Sequence, residues 1–249
     1  MSPAAIPLWF DPDLLYFCIV KHITDIDLRA RVAGLSRDNR RNCVSIDGYL
    51  PAGVLVPIIL GTGTPSLLFT KRTEFVETHK GQVSFPGGVM DPGDGDIVHT
   101  ALREAWEEIG LPDTAIRVVG LLDDLPTPTG FIITPVVGIL ETLPALTPNS
   151  AEVADVFQVP LSFFADPGNG RTEIREFLGR QHDVWYFQSG GHTIWGATAM
   201  IVQMLLKRFD LVTARRRSGS GTPPRFTCSA VASQAARSSK TLFCVFQSR

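Results

Sequence analysis

The chain has 249 residues, a length that suits one domain of roughly 150–200 residues with short extensions. A hydrophobic content of 44% and a charged content of 19% are typical of a globular protein in water. No apolar run reaches the ~18 residues that a membrane-spanning helix needs. The net charge is −2, yet every acidic residue lies at or before Asp210. Composition therefore argues against a membrane protein and separates a basic C-terminal segment from the rest.

The four cysteines indicate a reducing compartment, because they form neither a C-x-x-C pair nor a zinc-ligand spacing. They are Cys18, Cys43, Cys228 and Cys244. The apolar run Leu14–Val20 is short and lacks a small-residue cleavage site, which argues against a signal peptide. We therefore expect a cytoplasmic location, or an organellar matrix such as the mitochondrion or peroxisome in a eukaryote. The oligomeric state stays open, including a homodimer.

The first part of the chain predicts a short helix followed by three strands. Asp25–Leu35 has apolar residues at helical spacing. Two apolar runs, Val54–Leu60 and Ser66–Thr70, flank a turn rich in Gly and Thr and predict a hairpin. Gln82–Phe85 predicts a third short strand, which we expect the following Pro86-Gly87-Gly88 to stop.

The clearest element is a helix over Ile97–Ile109, which follows the Asp/Gly/Pro-rich loop Met90–Asp96 and is closed by Gly110. Because most strands read as hairpins and helices lie between them, we predict an α/β/α sandwich with a mixed, largely antiparallel sheet. A doubly wound parallel sheet does not fit this order. The remaining predicted elements are strands at Ile116–Leu122, Phe131–Leu140 and Val153–Val159, a short helix from Pro160–Phe164, a hairpin of Asp183–Gln188 and His192–Trp195, and a helix over Ala197–Phe209.

Composition changes after Leu211, where Arg, Ser, Gly, Thr and Pro dominate. This predicts a disordered basic tail, which would contact nucleic acid or acidic surfaces through its charge or have no function. We therefore divide the chain into an N-terminal extension (1–50), one domain (51–210) and the tail (211–249).

The predicted helix carries three carboxylates on one side. Residues three and four apart share a helix face, so Glu104 lies beside Glu107 and Glu108. Such a patch is repulsive unless cations offset it, and Mg²⁺ prefers hard oxygen ligands. Arg103 lies four residues before Glu107 and can orient that carboxylate. A solvated helix face is the alternative, but the preceding Gly-Gly turn and acidic loop favour a metal site.

Residues 103–111, R-E-A-W-E-E-I-G-L, resemble the second half of the Nudix box, R-E-U-x-E-E-x-G-U. This resemblance implies a Nudix-type sandwich in which Glu104, Glu107 and Glu108 bind Mg²⁺ or Mn²⁺. The carbonyl of Gly87 or Gly88 is then a further ligand, and Arg103 the orienting partner. Gly88 and Arg103 are fifteen residues apart, where the usual spacing is fourteen, so the loop acid of the box falls at Gly95, or at Asp94 with one residue inserted.

The upstream stretch Leu67–Gly88 resembles the signature of coenzyme A pyrophosphatases, L-L-T-x-R-S-x-x-x-R-x-x-x-G-Q-V-x-F-P-G-G. This implies cleavage of coenzyme A or its derivatives into phosphopantetheine and 3′,5′-adenosine diphosphate. Thr73 replaces the usual Ser or Ala, and Glu77 stands where the signature has Arg. The candidate contacts to the anionic substrate are Lys71, Arg72, His79 and Gln82, with Lys80 nearby.

The general base and the substrate each leave alternatives open. Glu108 or Glu104 can act through a metal-bound water, and Glu152, in a loop before a strand, is an outside candidate. ADP-ribose, a dinucleotide or a nucleoside triphosphate are alternative substrates. A nucleotide-binding regulator without catalysis is a further alternative, although such proteins often lose box glutamates and all three are present here.

Overall fold

The computed structural model describes residues 28, 30–31, 41–74, 81–177 and 180–211. The predicted helix Asp25–Leu35 falls within these ranges only at residues 28, 30 and 31, which are helical. Glu77, His79, Lys80 and the tail after Leu211 lie outside the described residues. Within the described ranges, no helix combines the length and hydropathy that crossing a bilayer requires.

The main sheet is built around two ten-residue strands that run side by side in the same direction. Strand β1 (Leu50–Ile59) pairs in parallel with β7 (Phe131–Leu140), and Leu50 lies opposite Phe131 at one end. Their Val/Ile/Leu-rich sequences suit strands that are covered on both faces. The other main-sheet strands are β2 (Ser66–Arg72), β3 (Val83–Ser84), β4 (Gly87–Val89), β5 (Arg117–Leu121), β6 (Leu125–Pro126) and β8 (Val153–Pro160).

Every other pairing in the main sheet is antiparallel. Strand β1 pairs with β2 and β4, β2 pairs with β3 and β8, and β7 pairs with β5 and β6. The predicted mixed, largely antiparallel sheet is therefore confirmed. A second sheet contains β9 (Gly170–Phe177), β10 (Arg180–Ser189) and β11 (His192–Trp195), all antiparallel.

Helices cover both faces of the main sheet. Alternate residues of β1 enter two different cores, because successive strand side chains point to opposite faces. Val54, Val56 and Ile58 pack in the core that contains helix α3 (Gly196–Arg208) and the short helix α2 (Leu161–Ala165). Leu55 packs in the other core, against helix α1 (Ile97–Ile109). The predicted helix–sheet–helix sandwich is confirmed.

Helix α1 rests directly on strand β1. Its apolar side is formed by Ala101, Ala105 and Ile109, all fully buried at i, i+4 spacing. A Cβ atom on Gly53 would lie 2.5 Å from the carbonyl oxygen of Ile97, so only glycine permits this approach. The close contact fixes the depth of the helix, and with it the position of every side chain that the helix carries.

Strand β4 in the main sheet and strand β9 in the second sheet differ from the sequence prediction. Pro86-Gly87-Gly88 was expected to end a strand, but Gly87–Val89 forms strand β4 and pairs with Ala52–Val54 of β1. Strand β9 was not predicted, because Arg and Glu alternate with its few apolar residues and no half-buried pattern is visible. This charged sequence pattern follows from the position of β9 at the edge of the second sheet.

Residues before β1 are hydrogen-bonded to the loop between β5 and β6. The Asp124 carboxylate, whose side chain is only 6% exposed, accepts hydrogen bonds from the Arg41 guanidinium, the Val44 backbone N–H and the Thr134 hydroxyl. The neighbouring Asp123 accepts from the backbone and side chain of Asn42, at a solvent-exposed position. The segment is thus held by one buried and one exposed carboxylate.

We propose that the folded unit begins before residue 50 and includes this segment. Asp124→Ala should lower the free energy of unfolding by about 1–3 kcal/mol, because buried donors lose their acceptor. Asp123→Ala, the exposed neighbour, should change it by less than about 0.5 kcal/mol. Urea unfolding of both variants measures the difference. Equal effects would show that the segment is not anchored through Asp124.

Candidate functional site

Two of the three predicted glutamates are buried between helix α1 and strand β4. The side chains of Glu104 and Glu108 are 8% and 3% exposed, whereas Glu107 is 57% exposed. Gly88 faces Glu104 so closely that a Cβ atom there would lie 2.4 Å from a carboxylate oxygen. A glycine at this point of β4 therefore leaves room for the carboxylate and brings a backbone strand against it.

Arg103 links three carboxylates. Its Nε and Nη2 atoms donate to the two oxygens of Asp94, at 2.9 and 3.0 Å. Its Nη1 donates to Glu104 Oε1 at 2.8 Å and to Glu107 Oε2 at 3.0 Å. The orientation of Arg103 is therefore set by Asp94, and Arg103 in turn sets two of the three glutamates. Of the two positions expected for the loop acid of the box, Asp94 is the one that carries a carboxylate, and this carboxylate contacts Arg103.

Asp94 is itself held on several sides. One oxygen accepts from the Thr100 hydroxyl at 2.9 Å and from the Asp91 backbone N–H at 2.9 Å. The hydrogen bonds from Arg103 hold the pKa of Asp94 well below its ordinary value, against the opposing effect of burial. The same contact raises the pKa of Arg103. Both groups are therefore charged at neutral pH, and the ion pair fixes the middle of α1 to the preceding loop.

The two buried glutamates have the opposite electrostatic character. Burial raises the pKa of Glu104 to about 7, against the lowering effect of Arg103, and the charges of Glu107 and Glu152 raise it further. Burial also raises the pKa of Glu108 well above its ordinary value, and Glu104 and Glu152 add to this. These two carboxyl groups therefore keep their protons to a higher pH than an exposed glutamate does, and a cation bound beside them would favour their charged form.

Arg72, at the end of β2, is the second cation of the site. Its Nη1 lies 4.0 Å from Glu108 Oε1, and both side chains are almost fully buried. Burial lowers the pKa of Arg72, and the charges of Glu108, Glu152 and Glu104 oppose that lowering. Glu152, which lies directly before β8, is thus within electrostatic range of Arg72, Glu104 and Glu108.

The structure brings together most of the residues proposed from the sequence, but not all of them. One region is surrounded by Arg103, Glu104, Glu107, Glu108, Gly88, Arg72 and Glu152. Lys71 does not join them. It lies two residues after Phe69 in β2 and therefore on the same face, which α3 covers, whereas Arg72 points to the α1 face. Gln82 contacts Arg72 through its backbone oxygen, which accepts the Arg72 N–H at 2.9 Å. His79 lies outside the described residues.

The oxygen donors of this region fit a hard divalent cation. Glu108 Oε2 is buried, and among the described residues no hydrogen-bond donor reaches it. Within the same part of the chain, no group of three Asp, Glu, His or Cys side chains is arranged so that it could hold a metal ion by itself. Mg²⁺ does not require such a group, because it commonly keeps several waters and binds one or two carboxylates together with substrate phosphates. The arrangement suits an open metal site.

Comparison with known proteins agrees with this geometry. The NUDIX domain matches residues 50–178, which is more than half of the chain. The chain belongs to the Nudix family. The Nudix hydrolase NudL of Photorhabdus laumondii is 42% identical over 165 residues, which cover 66% of this chain and 88% of that protein.

One further relative and one solved structure also match the chain. The mouse mitochondrial coenzyme A diphosphatase NUDT8 is 42% identical over 161 residues, covering 63% of this chain and 76% of that protein. The crystal structure of the Nudix hydrolase RenU from M. smegmatis aligns with a TM-score of 0.40 at 21% identity, covering 49% of this chain and 79% of that chain. Membership makes this chain a Nudix pyrophosphohydrolase, an enzyme that acts on phosphorus-containing anhydrides. The Nudix family generally uses divalent metal ions such as Mg²⁺ or Mn²⁺.

The Asp94–Arg103 pair predicts how the stability of this Nudix domain depends on pH. Because the pKa of Asp94 is depressed in the folded state, its ionised form stabilises the protein above its ordinary pKa near ~4, and that stabilisation is lost as the pH falls below it. Asp94→Asn should therefore lower the free energy of unfolding at neutral pH by about 1–3 kcal/mol. Asp113→Asn, at an exposed position, is the control.

The measurement is the unfolding free energy of both variants in metal-free buffer, from neutral pH to about pH 3. The stability advantage of the wild type over Asp94→Asn should begin to shrink below about pH 4, since the unfolded chain then binds a proton at Asp94 that the folded chain, with its lowered pKa, does not bind. A difference that stays constant through this range would contradict the assignment.

Proposed function

We propose that this Nudix enzyme cleaves the diphosphate of coenzyme A or its derivatives into phosphopantetheine and 3′,5′-adenosine diphosphate, using Mg²⁺ or Mn²⁺. The observation that carries the proposal is the buried carboxylate face of α1, packed against the backbone of β4 and flanked by Arg72. The coenzyme A part is supported by the signature in Leu67–Gly88 and by the relative named a coenzyme A diphosphatase.

The metal ligands in this proposal are the carboxylates of Glu104, Glu107 and Glu108, with the carbonyl of Gly88 as a further ligand. The unpartnered Oε2 of Glu108 and the closeness of Gly88 to Glu104 support this set. A bound Mg²⁺ ion would act as a Lewis acid that neutralises the diphosphate and acidifies water. Arg103 would hold Glu104 and Glu107 in fixed rotamers, so that little reorganisation is needed when the substrate binds.

The remaining residues would act on the water and the diphosphate. Glu152 would accept the proton of the attacking water, because it carries a carboxylate at the edge of the buried cluster and has no assigned metal role. Arg72 would contact a diphosphate oxygen, since it is the cation nearest to Glu108. Catalysis would then consist mainly of positioning and charge stabilisation, as is usual for attack at phosphorus.

Substitution of Glu108 tests the catalytic cluster. Glu108→Gln keeps the shape of the side chain and removes its charge, so kcat for Mg²⁺-dependent hydrolysis of coenzyme A should fall at least ~10²-fold. Glu176→Gln, at an exposed position of the second sheet, should leave kcat unchanged. Both rates are measured by chromatographic separation of the two products. Undiminished activity of Glu108→Gln would exclude Glu108 as a metal ligand.

Arg72 and Lys71 are neighbouring cations on opposite faces of β2, so substitution of each one tests whether Arg72 contacts the substrate. Arg72→Ala should lower kcat/KM by about 10²-fold, because a charged contact to the diphosphate is lost. Lys71→Ala should change it less than about threefold, because the α3 face is distant from the glutamates. Circular dichroism establishes that both variants are folded. Similar losses in the two variants would argue that charge near the strand, not a specific contact, is what matters.

A diphosphate panel distinguishes the alternative substrates. Coenzyme A, ADP-ribose, a dinucleoside polyphosphate and a nucleoside triphosphate are compared at equal concentration, with and without Mg²⁺. Preference for coenzyme A supports the proposal, and preference for another compound replaces the substrate while keeping the chemistry. Binding of a nucleotide with no hydrolysis of any compound would instead indicate a regulator.

A further inference from the structure

Asn149 joins the last turn of α1 to the segment that carries Glu152. Its backbone N–H donates to the Glu108 carbonyl at 2.9 Å, and its own carbonyl accepts from the backbone N–H groups of Glu152 and Val153, at 2.9 and 2.8 Å. The residue is therefore connected by backbone hydrogen bonds to a buried box glutamate on one side and to Glu152 on the other.

The side chain of Asn149 contacts the same segment. Its Oδ1 accepts from the Ala151 N–H at 3.2 Å, and its Nδ2 donates to Glu152 Oε1 at 3.3 Å. The first contact shapes the turn, whereas the second orients a carboxylate directly. A neutral amide is well suited to this task, because it directs Glu152 without neutralising its charge.

Strand β2 holds the same segment from the opposite side. The Thr73 backbone N–H donates to the Glu152 carbonyl at 2.9 Å, and the Thr73 hydroxyl donates to the Ala151 carbonyl at 3.1 Å. Because Thr73 directly follows Arg72, the position of Glu152 is tied to both the helix with the glutamates and the strand with the arginine. Its backbone therefore has little freedom, and the direction of its carboxylate depends on Asn149.

We propose that Asn149 is a positioning residue that directs the Glu152 carboxylate towards the water that attacks the substrate. The inference rests on the proposed function, because it assigns the orienting partner of the proposed proton acceptor. Backbone hydrogen bonds hold Glu152 beside the cluster, because Asn149 connects it to Glu108 and Thr73 connects it to the strand that carries Arg72. Asn149 itself does not contact the substrate in this scheme.

Two substitutions separate orientation from folding. Asn149→Asp keeps the acceptor for the Ala151 N–H but removes the donor to Glu152 and places a like charge beside it. Asn149→Ala removes both contacts. We expect each to lower kcat about tenfold with KM little changed, since a hydrogen bond to a charged group contributes on the order of 1.4 kcal/mol, a factor of ten in rate. Melting temperatures report any loss of folding separately.

A double-mutant cycle with Glu152→Gln provides the decisive measurement. If Asn149 acts through Glu152, then Asn149→Ala should have no further effect on kcat in the Glu152→Gln background. The full tenfold loss in that background, full activity of Asn149→Asp, or full activity of Glu152→Gln alone would each overturn the inference. If the wild type hydrolyses no diphosphate, the proposed function itself fails, whereas an active wild type with an additive cycle refutes only the role of Asn149.

Discussion

The withdrawal of two carboxyl groups from water, beside further acidic side chains, is the constraint on which the site depends. Burial raises the pKa of both Glu104 and Glu108, and each further acid nearby increases the effect. Arg103 offsets part of it, but Asp94 already takes two of its donors. A divalent cation bound at these carboxylates would favour their ionised form and offset the cost of burying them. Burial of these acids lowers the stability of the fold at the place where the ligand is proposed to bind.

The sheet makes this arrangement rigid by bringing two backbones very close to side chains and to a helix. Gly53 allows α1 to rest on β1, and Gly88 allows Glu104 to rest on β4. Because β1 pairs with β4, both close contacts are made by the same pair of strands. The glutamates are thus placed by the central part of the fold, and a displacement of α1 would disturb the core between this helix and the sheet.

The sequence predicts the elements whose pattern is local, and it fails where a contact between distant segments decides. Helix α1 and strand β7 have the predicted bounds, because their periodicity and their flanking residues agree. Strand β4 was hidden by glycines that usually indicate a turn, and its pairing with β1 arises only in the folded chain. Neighbouring Lys71 and Arg72 look equivalent in sequence until strand alternation separates them. Asn149 gave no signal, since its partner Glu108 belongs to another element.

The departure at Thr73 acquires a structural meaning that the sequence could not supply. Where the coenzyme A pyrophosphatase signature has Ser or Ala, this chain has a hydroxyl that donates to Ala151 and so holds the segment of Glu152. A serine would keep that hydrogen bond and an alanine would lose it, so the residue at this position affects how firmly the segment of Glu152, the proposed proton acceptor, is held. In the proposed mechanism, two neighbouring residues at the end of β2 thus have separate tasks. Arg72 would contact the diphosphate, and Thr73 holds the backbone of the proposed base, Glu152.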